Sequence, residues 1–247
     1  QKVKPIVKKV LGREVILQRI NCNLEQGSGG CSYELLPAPR LALKLYWTGL
    51  QKEANSASGD SYISFKVDGK MQLVILSDGM GSGKAAAQDS QETLTLIRQF
   101  LEIGFPLELA VRSTNHALAI KFEDDIFCTL DLLMLDLYSG EASICKAGAM
   151  PSYLVTKEDF SVFSSGELPL GIFPDWKPDI KKQKLKQGDL IVMVSDGVVE
   201  ADGYKEPWIE SYLSSWKGSD LQQLADSLLK GALGSRQHKD DMTIIIG

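Results

Sequence analysis

The sequence predicts an α+β fold in which helices lie on antiparallel sheets. Three observations carry that prediction. Strand-like stretches arrive in consecutive runs, helical periodicity is confined to a few blocks, and Gly-, Pro- and Asp-containing turn signals separate short apolar runs. A parallel α/β sheet would instead alternate strand and helix one by one.

Each element has its own signal. In the first segment Val3, Ile6, Val7, Val10 and Leu11 recur at helical spacing beside Lys2, Lys4, Lys8 and Lys9. This predicts a short basic amphipathic helix that packs on the domain, continues an upstream linker, or meets a partner or membrane surface. Strands are expected over 15–22, 32–36 and 41–52, punctuated by the glycine-rich turn at 25–30 and by "LPAPR". Tyr62, Ile63, Phe65 and Val67, then Asp68-Gly69, then Leu73 to Leu76 spell a hairpin. Antiparallel pairing would bring Asp60 and Asp78 together at its open end.

From Lys84 to Ile103 two apolar stripes appear, Leu94, Ile97 and Leu101 beside Leu96, Phe100 and Ile103. They predict a helix buried on two sides, followed by a second helix from Pro106 to about Lys121. Four short strands ("CTLDLLMLDLY", "GEASICKAG", "PSYLVTK", "FSVFSS") read as a meander. Ile180–Leu185 and Leu190–Ser195 read as a hairpin through "KQGD". Then come a helix over "SDLQQLADSLLKGAL", with Ser219 and Gln222 as a capping box, and a last strand in "DDMTIIIG".

Composition narrows the function. The 247 residues carry a net charge of -5, a balance unsuited to gripping a phosphate backbone, so no nucleic-acid partner is expected. The longest apolar run is far shorter than the roughly 20 residues that span a bilayer. The chain opens at Gln1 without a signal peptide, as expected of part of a longer protein, and any membrane attachment would come from upstream. Cys22, Cys31, Cys128 and Cys145 lack C-x-x-C spacing and have only His116 and His238 to assist, which argues against zinc and for reduced thiols. Cys22 and Cys31 flank the glycine-rich turn and could pair in an oxidising compartment.

The chemistry lies in acids at strand ends: Asp60 in "SGD", Asp78 and Asp196 in two "SDG" stretches, and Asp240 with Asp241 in "DDMT". Alone, each is ordinary turn chemistry. Together, if their strands end at one edge, the carboxylates repel unless a cation neutralises them. Carboxylates plus a backbone carbonyl suit Mg²⁺ or Mn²⁺, and Gly79 could turn its carbonyl to such an ion.

The order SGD, SDGMGSGKAA, SDG, DDMT resembles the metal-dependent protein phosphatases of the PPM (PP2C-like) superfamily, most closely the stage II sporulation protein E family. The resemblance runs from about Tyr46 to the end, and implies residues 1–45 as an N-terminal helix and regulatory connection and 46–247 as the phosphatase domain. It implies a layered αββα sandwich of two antiparallel sheets flanked by helices. Asp78 would bridge two Mn²⁺ or Mg²⁺ ions, the Gly79 carbonyl would bind one, and Asp196 with Asp240 the other. Asp60 would reach the cluster directly or through water, and Asp241 is the second choice for the last ligand. Asp78 and Asp196 would then be catalytic, the paired ions activating hydroxide for in-line attack on a phosphoserine or phosphothreonine. The implied substrate is a phosphorylated STAS-type anti-sigma-factor antagonist, whose dephosphorylation releases a sporulation sigma factor. A cytoplasmic domain, homo-oligomerisation and an upstream membrane anchor belong to the same expectation.

Departures from the superfamily are visible. Met80 stands where many members have the histidine assigned as leaving-group acid, no early phosphate-gripping arginine is evident, and "GAMP" at 148–151 replaces a third-metal segment. They leave a catalytically weak interaction module as the alternative. "GMGSGKAA" is neither a P-loop, lacking the first Gly and the Ser or Thr after Lys84, nor a dinucleotide fingerprint. The helices over 84–121 follow the bridging acid, so a shift there could regulate metal occupancy.

Overall fold

The computed structural model describes residues 3–22, 31–52, 57–81, 83–121, 127–166, 168–200, 208–234 and 240–247, with backbone only at 3, 17–22, 31–33, 121 and 200. The glycine-rich turn at 25–30, Ser82 and His238 lie outside these residues. The chain runs α1 (Val3–Leu11), β1 (Val15–Cys22), β2 (Cys31–Pro37), β3 (Tyr46–Leu50), β4 (Asp60–Val67), β5 (Met71–Asp78), α2 (Lys84–Glu102) and α3 (Leu107–Lys121). It continues through β6 (Leu130–Asp136), β7 (Glu141–Ala147), β8 (Ser152–Val155), β9 (Phe160–Phe163), β10 (Ile180–Lys184), β11 (Leu190–Val194), α4 (Asp196–Glu200), α5 (Trp208–Ser215), α6 (Leu221–Leu233) and β12 (Met242–Ile246).

Two five-stranded sheets, β10-β7-β6-β5-β4 and β3-β12-β11-β8-β9, stack face to face, and β1 and β2 form a separate two-stranded sheet among the described residues. Among the described residues every pairing between these strands is antiparallel. Alternation along each strand sorts the core into layers. Leu73, Ile75 and Leu132 face Leu94, Ile97, Leu101, Val111 and Leu118 of α2 and α3. Val74, Leu133, Ile144, Leu154, Met193 and Ile245 fill the space between the sheets. Val192, Val194 and Ile244 pack under Ile209 and Leu213 of α5 and Leu224 and Leu228 of α6. The result is the αββα sandwich, and β5 reads as a continuous apolar run because both its faces are covered.

The β4–β5 hairpin forms as expected, with Asp68 and Gly69 at positive φ in the turn. Other expectations change. Residues 41–45 are not a strand; Arg40 and Leu41 donate to the Leu137 carbonyl, and Leu43 and Leu45 pack against the inter-sheet layer. The four-strand meander is divided, β6 and β7 belonging to one sheet and β8 and β9 to the other. The "KQGD" turn joins no hairpin, since β10 pairs with β7 while β11 pairs with β8 and β12. Turn chemistry is local, whereas the choice of partner strand follows which face each strand buries. The cap of α6 is Asp220, accepting from the Gln222 and Gln223 amides, in place of Ser219. Ile103 is exposed, so the second stripe of α2 is only half covered. The apolar residues Ile6, Val10 and Leu11 of α1 stay exposed, while Val7 is half-buried. Cys22 and Cys31 are register partners across β1 and β2.

Candidate metal centre

The inter-sheet layer changes character at one end. Two residues beyond its aliphatic filling, the same strand faces carry Leu76, Asp131, Lys146, Ser152, Ser195 and Thr243. Beyond these stand the acids.

Asp60 and Asp78 are register partners at the open end of the β4–β5 hairpin. The backbone at Asp78 is fixed by Thr129, whose hydroxyl accepts from the Asp78 amide at 2.9 Å. The Thr129 amide donates to the Asp78 carbonyl at 2.8 Å. Gly79 donates to the Gly59 carbonyl at 3.2 Å and packs so close to α2 that a Cβ there would sit 2.1 Å from the Ala86 carbonyl oxygen. Only glycine fits that approach. Met80 next to it is 52% exposed.

The second sheet brings the other acids. Ser195 donates its amide to the Thr243 carbonyl at 3.0 Å and its hydroxyl oxygen accepts from the Thr243 amide at 2.8 Å. That clasp aligns the end of β11 with the start of β12, and so Asp196 with Asp240 and Asp241. Gly197 again has no room for a Cβ, which would lie 2.1 Å from the Asp241 carbonyl oxygen. Asp196 accepts from the Gly197 amide at 2.6 Å, and Asp240 from the Asp241 amide at 2.9 Å. Asp241 differs: one oxygen accepts from the Lys52 amide and the other from the Gly59 amide, each at 2.7 Å, in a nearly buried setting. Its carboxylate braces the segment leading into Asp60.

Electrostatics tie these acids into one group. Burial pushes the Asp60 carboxyl up to about 7, with Asp196 and Asp241 adding repulsion and the Thr243 and Ser195 hydroxyls opposing it. Neither Asp60 oxygen has a partner at full hydrogen-bonding geometry among the described residues, so those hydroxyls act from nearby without satisfying it. Asp78 is pushed up to about 8, first by burial and then by Asp60, Asp196, Asp240 and Asp241. Asp78 and Asp196 share the wall of one cleft with Thr129, Asp131, Ser195 and residues 148–150.

These residues fit a divalent cation. Two unpartnered buried oxygens and mutually repelling carboxylates are what a hard ion would satisfy. Among the described residues no three acidic, histidine or cysteine side chains are gathered tightly enough to hold an ion as they stand.

Thus Asp60, Asp78, Gly79, Asp196 and Asp240 are brought to one end of the sandwich, and Asp241 takes a bracing role. Sequence reasoning missed Thr129, Asp131, Lys146 and Ser152. Asp131 in "TLDLLML" and Lys146 in "SICKAG" were readable as charges inside apolar runs, where a charge needs a partner.

Residues 68–246 match the family described as stage II sporulation protein E (SpoIIE). The chain is 28% identical over 249 residues to stage II sporulation protein E of Priestia megaterium, covering 99% of this chain and 42% of that protein. It is 32% identical over 200 residues to the Bacillus subtilis (strain 168) protein of the same name, covering 79% of this chain and 24% of that one. The chain therefore spans less than half the length of either relative. Phosphoserine phosphatase RsbU of Bacillus subtilis is 27% identical over 203 residues, 78% of this chain and 60% of that protein. The solved PP2C phosphatase domain with a fragment of the regulatory domain of SpoIIE from Bacillus subtilis superposes with a TM-score of 0.82 at 27% identity, covering 99% of this chain and 74% of that chain. On the family match across most of the sandwich, and with the acids where the two sheets end together, the chain belongs to the stage II sporulation protein E family of PP2C-like phosphatases.

Proposed function

We propose that the chain is a Mn²⁺- or Mg²⁺-dependent serine/threonine protein phosphatase that uses two ions. Asp78 would bridge them, the Gly79 carbonyl would bind one, Asp196 with Asp240 would hold the other, and Asp60 would reach the cluster directly or through water. The observation that carries this is the pair Asp60 and Asp78, register partners buried among further carboxylates. Paired ions supply an activated water and shield phosphoryl charge. The chain's own contribution is to hold the carboxylates apart on two sheets so that an ion can be seated between them. Thr129 fixes Asp78, Asp241 fixes the approach to Asp60, and the Ser195–Thr243 clasp fixes Asp196.

The substrate class is a phosphoserine or phosphothreonine protein, and family resemblance points to a phosphorylated STAS-type anti-sigma-factor antagonist, with release of a sporulation sigma factor as the consequence. Residues 1–45 would be the connection from a regulatory region, and 46–247 the catalytic domain. No described helix is long and apolar enough to cross a membrane. The domain would act in the cytoplasm, with any anchor upstream.

The test is hydrolysis of a phosphoserine protein with Mn²⁺ present. Asp78→Asn should lower the rate by more than about 100-fold, beyond the loss typical for outer-shell groups. Metal-independent hydrolysis, or activity surviving Asp78→Asn, would refute the assignment. A folded chain that binds Mn²⁺ without hydrolysing any phosphoserine protein would favour the interaction-module alternative.

A further inference from the structure

Lys146, Asp131 and Ser152 form a buried charged cluster that the proposed chemistry does not use. Their exposures are 6%, 1% and 1%. The Lys146 ammonium lies 2.7 Å from Asp131 Oδ1 as an ion pair and donates to Ser152 Oγ at 2.8 Å. The Ser152 hydroxyl in turn donates to Asp131 Oδ2. Asp131 is on β6 and Lys146 on β7, adjacent strands of the first sheet and register partners. Ser152 is on β8 of the second sheet. The cluster is therefore a polar link across the mainly aliphatic layer between the sheets.

Its position gives it a consequence for the acids. Asp131 lines the same cleft as Asp78 and Asp196. Two residues before it on the chain, Thr129 holds the Asp78 backbone by two hydrogen bonds. On the other side, β8 pairs with β11, the strand that leads into Asp196 two residues beyond its end. A buried ion pair is a poor stabiliser compared with apolar residues of similar volume, so its presence points to a geometric role.

We propose that Lys146, Asp131 and Ser152 are positioning residues that set the spacing between Asp78 on one sheet and Asp196 on the other, and thereby the affinity for divalent cations. The proposal rests on reading the acidic cleft as the metal centre. None of the three side chains is assigned to metal or substrate. Lys146 holds Asp131 neutralised in the cleft wall, and Ser152 transmits that anchor across the inter-sheet gap.

The decisive variant is Ser152→Ala, which keeps the charge pair and cuts only the link between sheets. Lys146→Met with Asp131→Asn removes both charges without leaving one unpaired. Mn²⁺ binding is measured by titration calorimetry on chains shown to be folded at the same temperature, with Lys182→Met, from the exposed pair with Glu141, as control. Both test variants should bind Mn²⁺ about 10- to 100-fold more weakly. Their kcat should fall while KM for a phosphoserine peptide stays within about twofold. Unchanged Mn²⁺ affinity in Ser152→Ala, whatever its thermal midpoint, would overturn the proposal and leave the cluster a plain structural brace. The unmutated chain and Asp78→Asn are titrated first. If the former takes up no Mn²⁺, or the latter binds it equally well, the metal centre itself is refuted and the positioning role falls with it.

Discussion

Asp240 and Asp241 are adjacent and chemically identical, yet the fold gives them different work. Asp241 accepts two backbone amides from the segment that delivers Asp60, and its carboxylate is spent on that contact. Asp240 keeps a partly exposed carboxylate with one local amide bond. Hydrogen bonds to a charged group are worth about 1.5 to 3 kcal/mol each, so Asp241→Ala should destabilise the chain by about 3 kcal/mol. Asp240→Asn should change stability by less than about 1 kcal/mol and weaken Mn²⁺ binding more than Asp241→Ala does. Thermal unfolding and metal titration of the two variants check this, and the reverse ranking would assign Asp241 as the ligand.

At the scale of elements, α2 and α3 stand behind the strand that carries Asp78. Ile97 is fully buried against the layer containing Leu73 and Ile75, a few residues upstream of that acid. From α3, the buried Asn115 side chain donates to the Phe173 carbonyl at 2.8 Å and the Pro174 carbonyl at 3.2 Å, and accepts from the Gly171 amide at 2.9 Å. The neighbouring Leu170 bridges Cys128, which bridges Gly79. Thus α2 packs directly on the backbone at Gly79, and α3 is linked to it through Gly171, Leu170 and Cys128. Ile97→Val should cost about 0.5 to 1.5 kcal/mol, leaving the chain folded at room temperature. If the helix pair biases the site, Mn²⁺-dependent kcat should drop about threefold or more in that folded chain. Activity equal to the parent would reduce the helix pair to ordinary packing.

For the whole molecule, pH reports the accumulated charge at the cleft. Asp60 and Asp78 have folded values near 7 and 8, raised chiefly by burial above the unfolded value of about 3.9. A raised carboxyl binds its proton more tightly when folded. The metal-free chain should therefore lose stability as pH climbs between about 4 and 8, by on the order of several kcal/mol. Asp136, held down to about 2 by its Ser139 and Tyr138 amides and by Lys70 against a burial effect of opposite sign, acts below that window. Mn²⁺ bound at the proposed site would displace the cleft protons and should flatten the slope. Urea melts at about pH 5.5 and about pH 8, either in chelator or in chelator-free buffer with Mn²⁺, and in Asp78→Asn, measure it; a chelated parent equally stable at both values would contradict the shifts.

Apolar alternation, turn residues and acids at strand ends are local properties of a chain, and they determined the β4–β5 hairpin, both helix blocks and the acids Asp60, Asp78, Asp196 and Asp240. The order of motifs placed the chain in its family. Pairing between sheets was not legible, because "KQGD" makes the same tight turn whether or not its flanking strands pair with each other. The roles of Asp241 and Ser152 were equally hidden: a carboxylate or hydroxyl acquires a role only from the atoms that folding sets within 3 Å of it. Only the stacked sheets decided that Lys52, Gly59 and Asp241 meet, and that Asp131, Lys146 and Ser152 close a gap between strands distant in the chain.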